Sequence, residues 1–509
     1  MTDLDSHSVA IIADNSALSS LKVAWGWAEF SAEDGIGPLS SMYEAGDALV
    51  AVGQLDKDGM TILGSGVMVA PGILLTATHV LDEFAREGHG PVFFTFLPGK
   101  ARAWLPHDVV TVSGKDKFDD TRKIASDLSL VGVTLNSDAH EDFPLNLAAM
   151  QVALPLLGER LWAIGFRHHH IENGAARVTP MVSSGLVTAV FPSGRGNFLA
   201  SPCVEVNMDT LGGMSGGAVV NSEGRVVGIV STSFEGGPSY ITLIWEALRL
   251  DVAGAVPELR TRQKVSLQFA ASKGLAQLFG TVEAKPWGDV VFSFSGKESE
   301  LFANSLSGEA AEDMRRRLVR DDIDTFLDEF GQEMAATAED AAIELLEGLS
   351  LHKLRELLAV SDISPELLDP IDSFTVEDFE GVEDPEIISA EKDGPDTLRI
   401  DLFFSLHCII WTVTMPQERF RAREEEYSRH FMNIDITQGI VSLELVQRIY
   451  FRAMLGFDSE LKEFTETVFQ TAAVRGRGRR PETAMADEAF LRSMRPATLS
   501  PTKPGDRKR

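Results

Sequence analysis

The stretch Asp209-Thr210-Leu211-Gly212-Gly213-Met214-Ser215-Gly216-Gly217-Ala218-Val219-Val220 decides how the first half of this chain is read. Glycines stand on both sides of Ser215, so the backbone there can bend sharply and be approached closely, because glycine carries no Cβ. The apolar run Ala218-Val219-Val220 follows. Asn221-Ser222-Glu223-Gly224 then supplies a turn, and Val226-Val227-Gly228-Ile229-Val230 a second apolar run. This pattern predicts a hairpin of two buried strands that carries the serine at its open end.

A second signal lies upstream. Gly64-Ser65-Gly66-Val67-Met68-Val69-Ala70-Pro71-Gly72-Ile73-Leu74-Leu75-Thr76-Ala77-Thr78-His79-Val80-Leu81 reads as another hairpin, with His79 opening a short helical turn. Taken alone, a histidine at a strand end is an ordinary core residue. Taken with Gly-Met-Ser-Gly-Gly-Ala-Val, the Thr-Ala-x-His ending is similar to trypsin/chymotrypsin-like serine proteases of bacterial type, related to the catalytic domain of the high-temperature-requirement proteases. The resemblance asks for an acid between these two, at the start of an apolar strand. Ser126-Asp127-Leu128-Ser129-Leu130-Val131-Gly132-Val133 supplies Asp127, whereas Asp119 and Asp120 sit in a polar loop with no strand after it. The order His79, Asp127, Ser215 is the one expected of that family. The chemistry needs all three types: an imidazole to take the serine proton, and a carboxylate to fix the imidazole tautomer and stabilise its cation.

The resemblance runs over about residues 46–254, through Gly158-Glu159-Arg160-Leu161-Trp162-Ala163-Ile164-Gly165-Phe166, Ser183-Ser184-Gly185-Leu186-Val187-Thr188 and Gly237-Pro238-Ser239-Tyr240-Ile241-Thr242. It implies two small antiparallel barrels with the catalytic residues between them. It also implies an oxyanion hole from the backbone N–H groups of Gly213 and Ser215. Further, it places Asp209, six residues before the serine, at the base of a side-chain pocket walled by Thr210, Ser231, Thr232 and Ser233, which would favour Arg or Lys. Met214 departs from the digestive enzymes, which carry an aspartate there for a newly cut N-terminus. Activation by N-terminal clipping is therefore not expected.

The rest of the chain bounds the function. Its 509 residues are 44% hydrophobic and 24% charged, enough for several soluble domains. A net charge of −30 argues against a nucleic-acid or anionic-membrane partner. Two cysteines, Cys203 and Cys408, exclude a disulfide framework. The N-terminus is acidic where an export signal is basic, and no apolar run reaches the length of a membrane span, so a cytoplasmic protein is expected. The run His168-His169-His170 reads as a polar loop, since successive residues of an extended chain point to opposite faces. No metal and no cofactor are expected.

Beyond residue 254 the character changes. Residues 259–279 and 310–359 read as helices, with Ile323, Phe326, Leu327, Phe330 and Met334 on one face. Residues 361–384 read as a linker or surface loop, 397–415 as one or two strands, and 441–454 and 460–469 as helices. The fold expected is therefore multidomain: an all-β double antiparallel barrel, chymotrypsin-like, followed by an α-rich α+β region. Its divisions fall at 1–45 (N-terminal segment), 46–255 (protease), 256–365 (helical region), 366–474 (α+β module) and 475–509 (a basic, disordered tail). The function expected is a serine endopeptidase acting on proteins or peptides, with a regulatory protein partner reached through the C-terminal half. An inactive protease scaffold used for binding would normally have lost one of the three residues, and an esterase would normally show a Gly-x-Ser-x-Gly elbow.

Overall fold

The computed structural model describes residues 6–14, 16–19, 23–26, 29–30, 46–56, 59–87, 91–97, 99–111, 126–135, 144–167, 171–172, 175–195, 199–233, 238–253, 264–285, 290–294, 296–306, 308–359, 363–394, 396–474 and 497–499. Asp119, Asp120 and the run 168–170 lie outside them. The chain divides into two compact units, one of residues 1–284, 290–306 and 495–509, the other of 285–289 and 307–494.

The first unit holds twelve strands that close into two rings. In the first ring, β1 (Leu49–Asp56), β2 (Gly59–Ala70), β3 (Ile73–Ala77), β4 (Pro91–Leu97), β5 (Lys100–Thr111) and β6 (Leu128–Leu135) pair in the order 1-2-3-6-5-4, and β4 returns to β1. The second ring consists of β7 (Arg160–Arg167), β8 (Ala175–Phe191), β9 (Cys203–Asn207), β10 (Ala218–Val220), β11 (Val226–Ser233) and β12 (Ser239–Leu243). Its order is 7-8-9-12-11-10, closing from β10 to β7. Every pairing in both rings is antiparallel. These are two six-stranded closed barrels, and closure removes the open sheet edges.

Why these stretches become strands is visible in their burial. Ile73 through Ala77 and Leu128 through Val133 are fully buried, as are Phe93, Phe94, Ala101 and Ala103. Leucine, aromatic and β-branched side chains fill the interior, with small residues such as Ala101 and Ala103 between them. A charged pair lies inside the first unit. Asp47 and Arg102 are both completely buried and paired, and the Asp47 carboxylate also accepts from the Thr95 hydroxyl at 2.6 Å and the Asn146 N–H at 3.2 Å. Removing one partner of such a pair leaves the other charge unanswered, so it is held by mutual need.

The unit continues past residue 255. Leu278–Phe279 pairs in parallel with Met150–Gln151, and Trp245 packs against Phe292 and Phe294 with ring centres 5.0 and 5.1 Å apart. Of the described part of residues 259–279, read from sequence as helix, only Leu267–Ser272 is helical, because short strands flank it at Val265–Ser266 and Leu278–Phe279. In the segment read as a disordered tail, Ala497–Leu499 pairs with the end of β5.

The second unit is a six-stranded antiparallel sheet covered by helices, the longest of them Arg320–Glu347. Its strands are β13 (Ser373–Asp378), β14 (Val382–Lys392), β15 (Thr397–Pro416), β16 (Met432–Thr437), β17 (Ile440–Asp458) and β18 (Glu463–Val474). Ile323, Phe326 and Met334 of the long helix share one core with Ile400, Leu402 and Phe404 of β15. Two sequence readings are corrected here. Residues 441–454 are strand, not helix, since Val441, Leu443 and Leu445, then Ile449, Phe451, Ala453, Leu455 and Phe457, are buried at every second position, and residues 460–469 are a turn followed by the strand from Glu463, which pairs with β17. The period is two, and β15 pairs with β17 along nearly its whole length. Residues 361–384 are not a loop either. They hold the helix Pro365–Leu368, β13 and the start of β14, with Ile363, Leu367, Leu368 and Ile371 buried.

Candidate active site

The register of β3 against β6 sets the first contact. Thr76 faces Ser129 and Ala77 faces Leu128, so the next residues out, Thr78-His79 on one side and Asp127 on the other, meet at the barrel's rim. The ladder runs one bond further, from the Thr78 N–H to the Asp127 carbonyl at 3.1 Å. At Thr78 the chain turns into α1 (Thr78–Glu87), with His79 in its first turn. The Asp127 carboxylate receives three donors: His79 Nδ1 at 2.9 Å, the His79 backbone N–H at 3.1 Å, and the Ser231 hydroxyl. The backbone donor is one of the orphan N–H groups of a helix start, where a negative charge is favoured. The imidazole itself is 41% exposed at its side chain and the carboxylate 17%, so the ring is the more open member of the pair.

Burial alone would lower the His79 pKa. The hydrogen bond to Asp127 and the Asp127 charge, helped by Glu83 and Asp82, outweigh it and raise the pKa above the ordinary 6.5.

The Ser215 loop begins as a tight turn. The Met214 N–H donates to the Leu211 carbonyl at 3.0 Å, and Gly213, the third residue of that turn, has φ +95° while Gly212 has no positive φ. Those are the marks of a type II turn, in which the third position requires φ above zero. Met214 is fully buried beneath it. After the serine, Gly216 lies so close to β2 and β3 that a Cβ there would stand 2.2 Å from the Ser65 carbonyl oxygen and 2.4 Å from Thr76 Oγ1. The glycine pair of the sequence is thus a matter of clearance.

Two further residues hold this loop. Ser65, fully buried on β2, donates its hydroxyl to the Gly213 carbonyl at 2.7 Å and accepts from the Phe166 N–H at 2.7 Å, while its own N–H donates to the Ser215 carbonyl at 2.8 Å. It therefore joins the first barrel to the turn, to the serine and to β7. On β11, Val230 accepts from the Gly216 N–H at 2.7 Å and donates to the Gly217 carbonyl at 3.0 Å, and its neighbour Ser231 binds Asp127. Consecutive residues of one strand tie the serine loop and the carboxylate together.

The sequence marked Ser231 as a pocket wall. Its hydroxyl donates to Asp127, and the residue is buried. Thr210 is buried, with its hydroxyl 2.7 Å from that of Ser239, which in turn donates to the Met208 carbonyl at 2.9 Å. Asp209 is exposed. Thr232 is half-buried and pairs with Tyr240, and Ser233 pairs with Ser239 at the end of β11. The role of Ser65 is not legible in Gly64-Ser65-Gly66, because its partners lie 101 and 148 residues away.

The family model for the trypsin-like peptidase domain matches residues 64–229. Among solved structures the chain is similar to the crystal structure of Deg5, at 16% identity and a TM-score of 0.29, over 44% of this chain and 93% of that one. It is also similar to the crystal structure of the Rv3671c protease in an inactive form, at 14% identity and a TM-score of 0.27, over 41% of this chain and 91% of that one. No curated protein sequence matches the chain. With its two closed barrels, its His79–Asp127 pair and the match over residues 64–229, this chain carries a trypsin-like peptidase domain.

Proposed function

We propose that the chain is a serine endopeptidase in which Ser215 is the nucleophile, His79 the general base and Asp127 the residue that orients it. The observation that supports this best is the Nδ1 contact of His79 with a carboxylate that also binds Ser231, one residue from the strap on the serine loop. An imidazole whose Nδ1–H is held by Asp127 keeps Nε2 unprotonated. Nε2 then takes the Ser215 proton as Oγ bonds to the scissile carbonyl carbon. The carbonyl oxygen, now negative, would be met by the N–H groups of Gly213 and Ser215. Each such donor is worth about 3–4 kcal/mol in the transition state. The imidazolium then gives its proton to the leaving amine, and water repeats the sequence on the acyl-enzyme.

Ser215→Ala and His79→Ala should each cut peptide-bond cleavage by roughly four to six orders of magnitude with the fold kept. Cleavage of a casein-type protein substrate at the native rate by purified Ser215→Ala would overturn the assignment. As for specificity, the case for Arg or Lys rested on a desolvated Asp209 carboxylate. In an exposed one the pairing contributes about 0–1 kcal/mol.

The second unit is proposed to regulate the first, because the parts named above all lie within the first unit and the second has a core of its own. A chain lacking residues 307–494, with Leu306 joined to Arg495 so that the strand 497–499 is kept, is expected to cleave the same substrate at a different rate from the full chain. Equal rates for the two would remove the regulatory role.

A further inference from the structure

Within the second unit, β15 contains a break. Pairing with β17 slips between Leu406 and Ile409, and Cys408 has φ +49°, a left-handed conformation rare for a residue other than glycine. In a regular strand His407 and Cys408 would point to opposite faces. The bulge cancels that alternation and turns both to one side, leaving Cys408 Sγ 3.4 Å from His407 Nδ1. The segment joining β13 to β14 is pinned against the same spot, since the Glu380 N–H donates to the His407 carbonyl at 3.0 Å and the His407 N–H to the Gly381 carbonyl at 3.2 Å. This brings Glu380 Oε2 to 2.7 Å from His407 Nδ1, with Glu383 Oε1 at 3.3 Å. One ligand atom each from Glu380, His407 and Cys408 lies within 4.8 Å of the others.

We infer that Glu380, His407 and Cys408 form a binding site for a divalent transition metal of zinc type, with a fourth position open to water or to Glu383. A thiolate, an imidazole and a carboxylate are the donor set that such an ion takes, and the combination does not suit magnesium or calcium. Tetrahedral ligation with sulfur at ~2.3 Å and nitrogen at ~2.0 Å places those two atoms roughly 3.5 Å apart, close to what the bulge provides. A cysteine nucleophile with its base would be arranged differently, with thiol and carboxylate on opposite nitrogens of the ring. Here the carboxylate takes Nδ1 while the thiol stands beside the ring, 3.4 Å from Nδ1 and 3.6 Å from Nε2, rather than on the opposite nitrogen. His407 is one-third exposed and Glu380 largely so, which leaves an entry path. Binding exchanges the Cys408 thiol proton for the ion and releases that proton to solvent. The site joins residues 27 positions apart, and it is independent of the peptidase reading.

The test is titration of the full chain with cobalt(II) as a spectroscopic stand-in, followed by competition with zinc(II). One cobalt per chain with a sulfur-to-cobalt charge-transfer band, bleached by zinc, is expected. The chain has only two cysteines, so the band should vanish in Cys408→Ser and persist in Cys203→Ser. His407→Ala, which keeps the thiol, should weaken binding at least about tenfold. The combined variant His168→Ala, His169→Ala, His170→Ala should bind like the native chain. No charge-transfer band, or a band that survives Cys408→Ser or needs the 168–170 run, would overturn the site.

Discussion

His79 is the residue whose surroundings make the sharpest demand on experiment. A general base must be neutral, and the hydrogen bond and charge of Asp127 favour the cation, so its pKa lies above 6.5. The acid limb of kcat/KM should therefore fall at a pH above that ordinary value, with activity lost as pH drops through it. Asp127→Asn removes the two largest raising influences, leaving only Glu83 and Asp82 against the burial, which lowers the pKa. The limb should move to lower pH while the rate falls by about four orders of magnitude, the imidazole being held in the wrong tautomer. A limb that stays put or moves up would mean that Asp127 does not act on His79. At this scale the sequence was readable where strand context surrounds a residue: Asp127 could be chosen over Asp119 because an apolar strand follows it. The bond from Ser231 to Asp127 was not legible, because β11 has an irregularity between Val230 and Thr232 and alternation cannot be counted through a bulge. The zinc-type cluster was invisible for the same reason, since it exists only through the bulge at Cys408.

At the scale of the element, the type II turn over residues 211–214 carries the oxyanion proposal. Its central peptide can present the Gly213 N–H in one of two directions, and φ +95° at Gly213 fixes which. Alanine at such an angle costs roughly 1–2 kcal/mol. Gly213→Ala should therefore tip the turn toward type I, where the third residue has negative φ, and swing that N–H away. The expected outcome is a fall in kcat of about 10²–10³ with KM little changed and the thermal unfolding midpoint near native. An unchanged kcat would exclude the turn from the chemistry. Ser65 serves the same turn from the first barrel by holding the Gly213 carbonyl. Hairpins such as β2–β3 and β10–β11 could be read from Gly- and Asn-marked turns between apolar runs. Strands β17 and β18 were misread, because a long alternating segment rich in Leu, Glu, Gln, Arg and Met carries helix-forming residue types while its burial has a period of two. Tertiary pairing with β15 decided between them.

At the scale of the whole chain, both barrels have one strand order, 1-2-3-6-5-4 and 7-8-9-12-11-10, although no repeat is apparent in the sequence. Closure requires alternation, turn placement and interior volume, and many different residues satisfy these, so topology can repeat where identity does not. The first unit's extent past residue 255 escaped the sequence because Trp245, Phe292 and Phe294 meet only in three dimensions. Among the described residues no helix is long and apolar enough to cross a membrane. The most direct measurement of the central claim is labelling of the purified full chain with a fluorophosphonate, with the modified residue mapped by mass spectrometry. Covalent attachment of one phosphonyl group per chain at Ser215, suppressed in His79→Ala, is the predicted result. An adduct on another serine, or no adduct on either the full chain or the chain lacking residues 307–494, would contradict it.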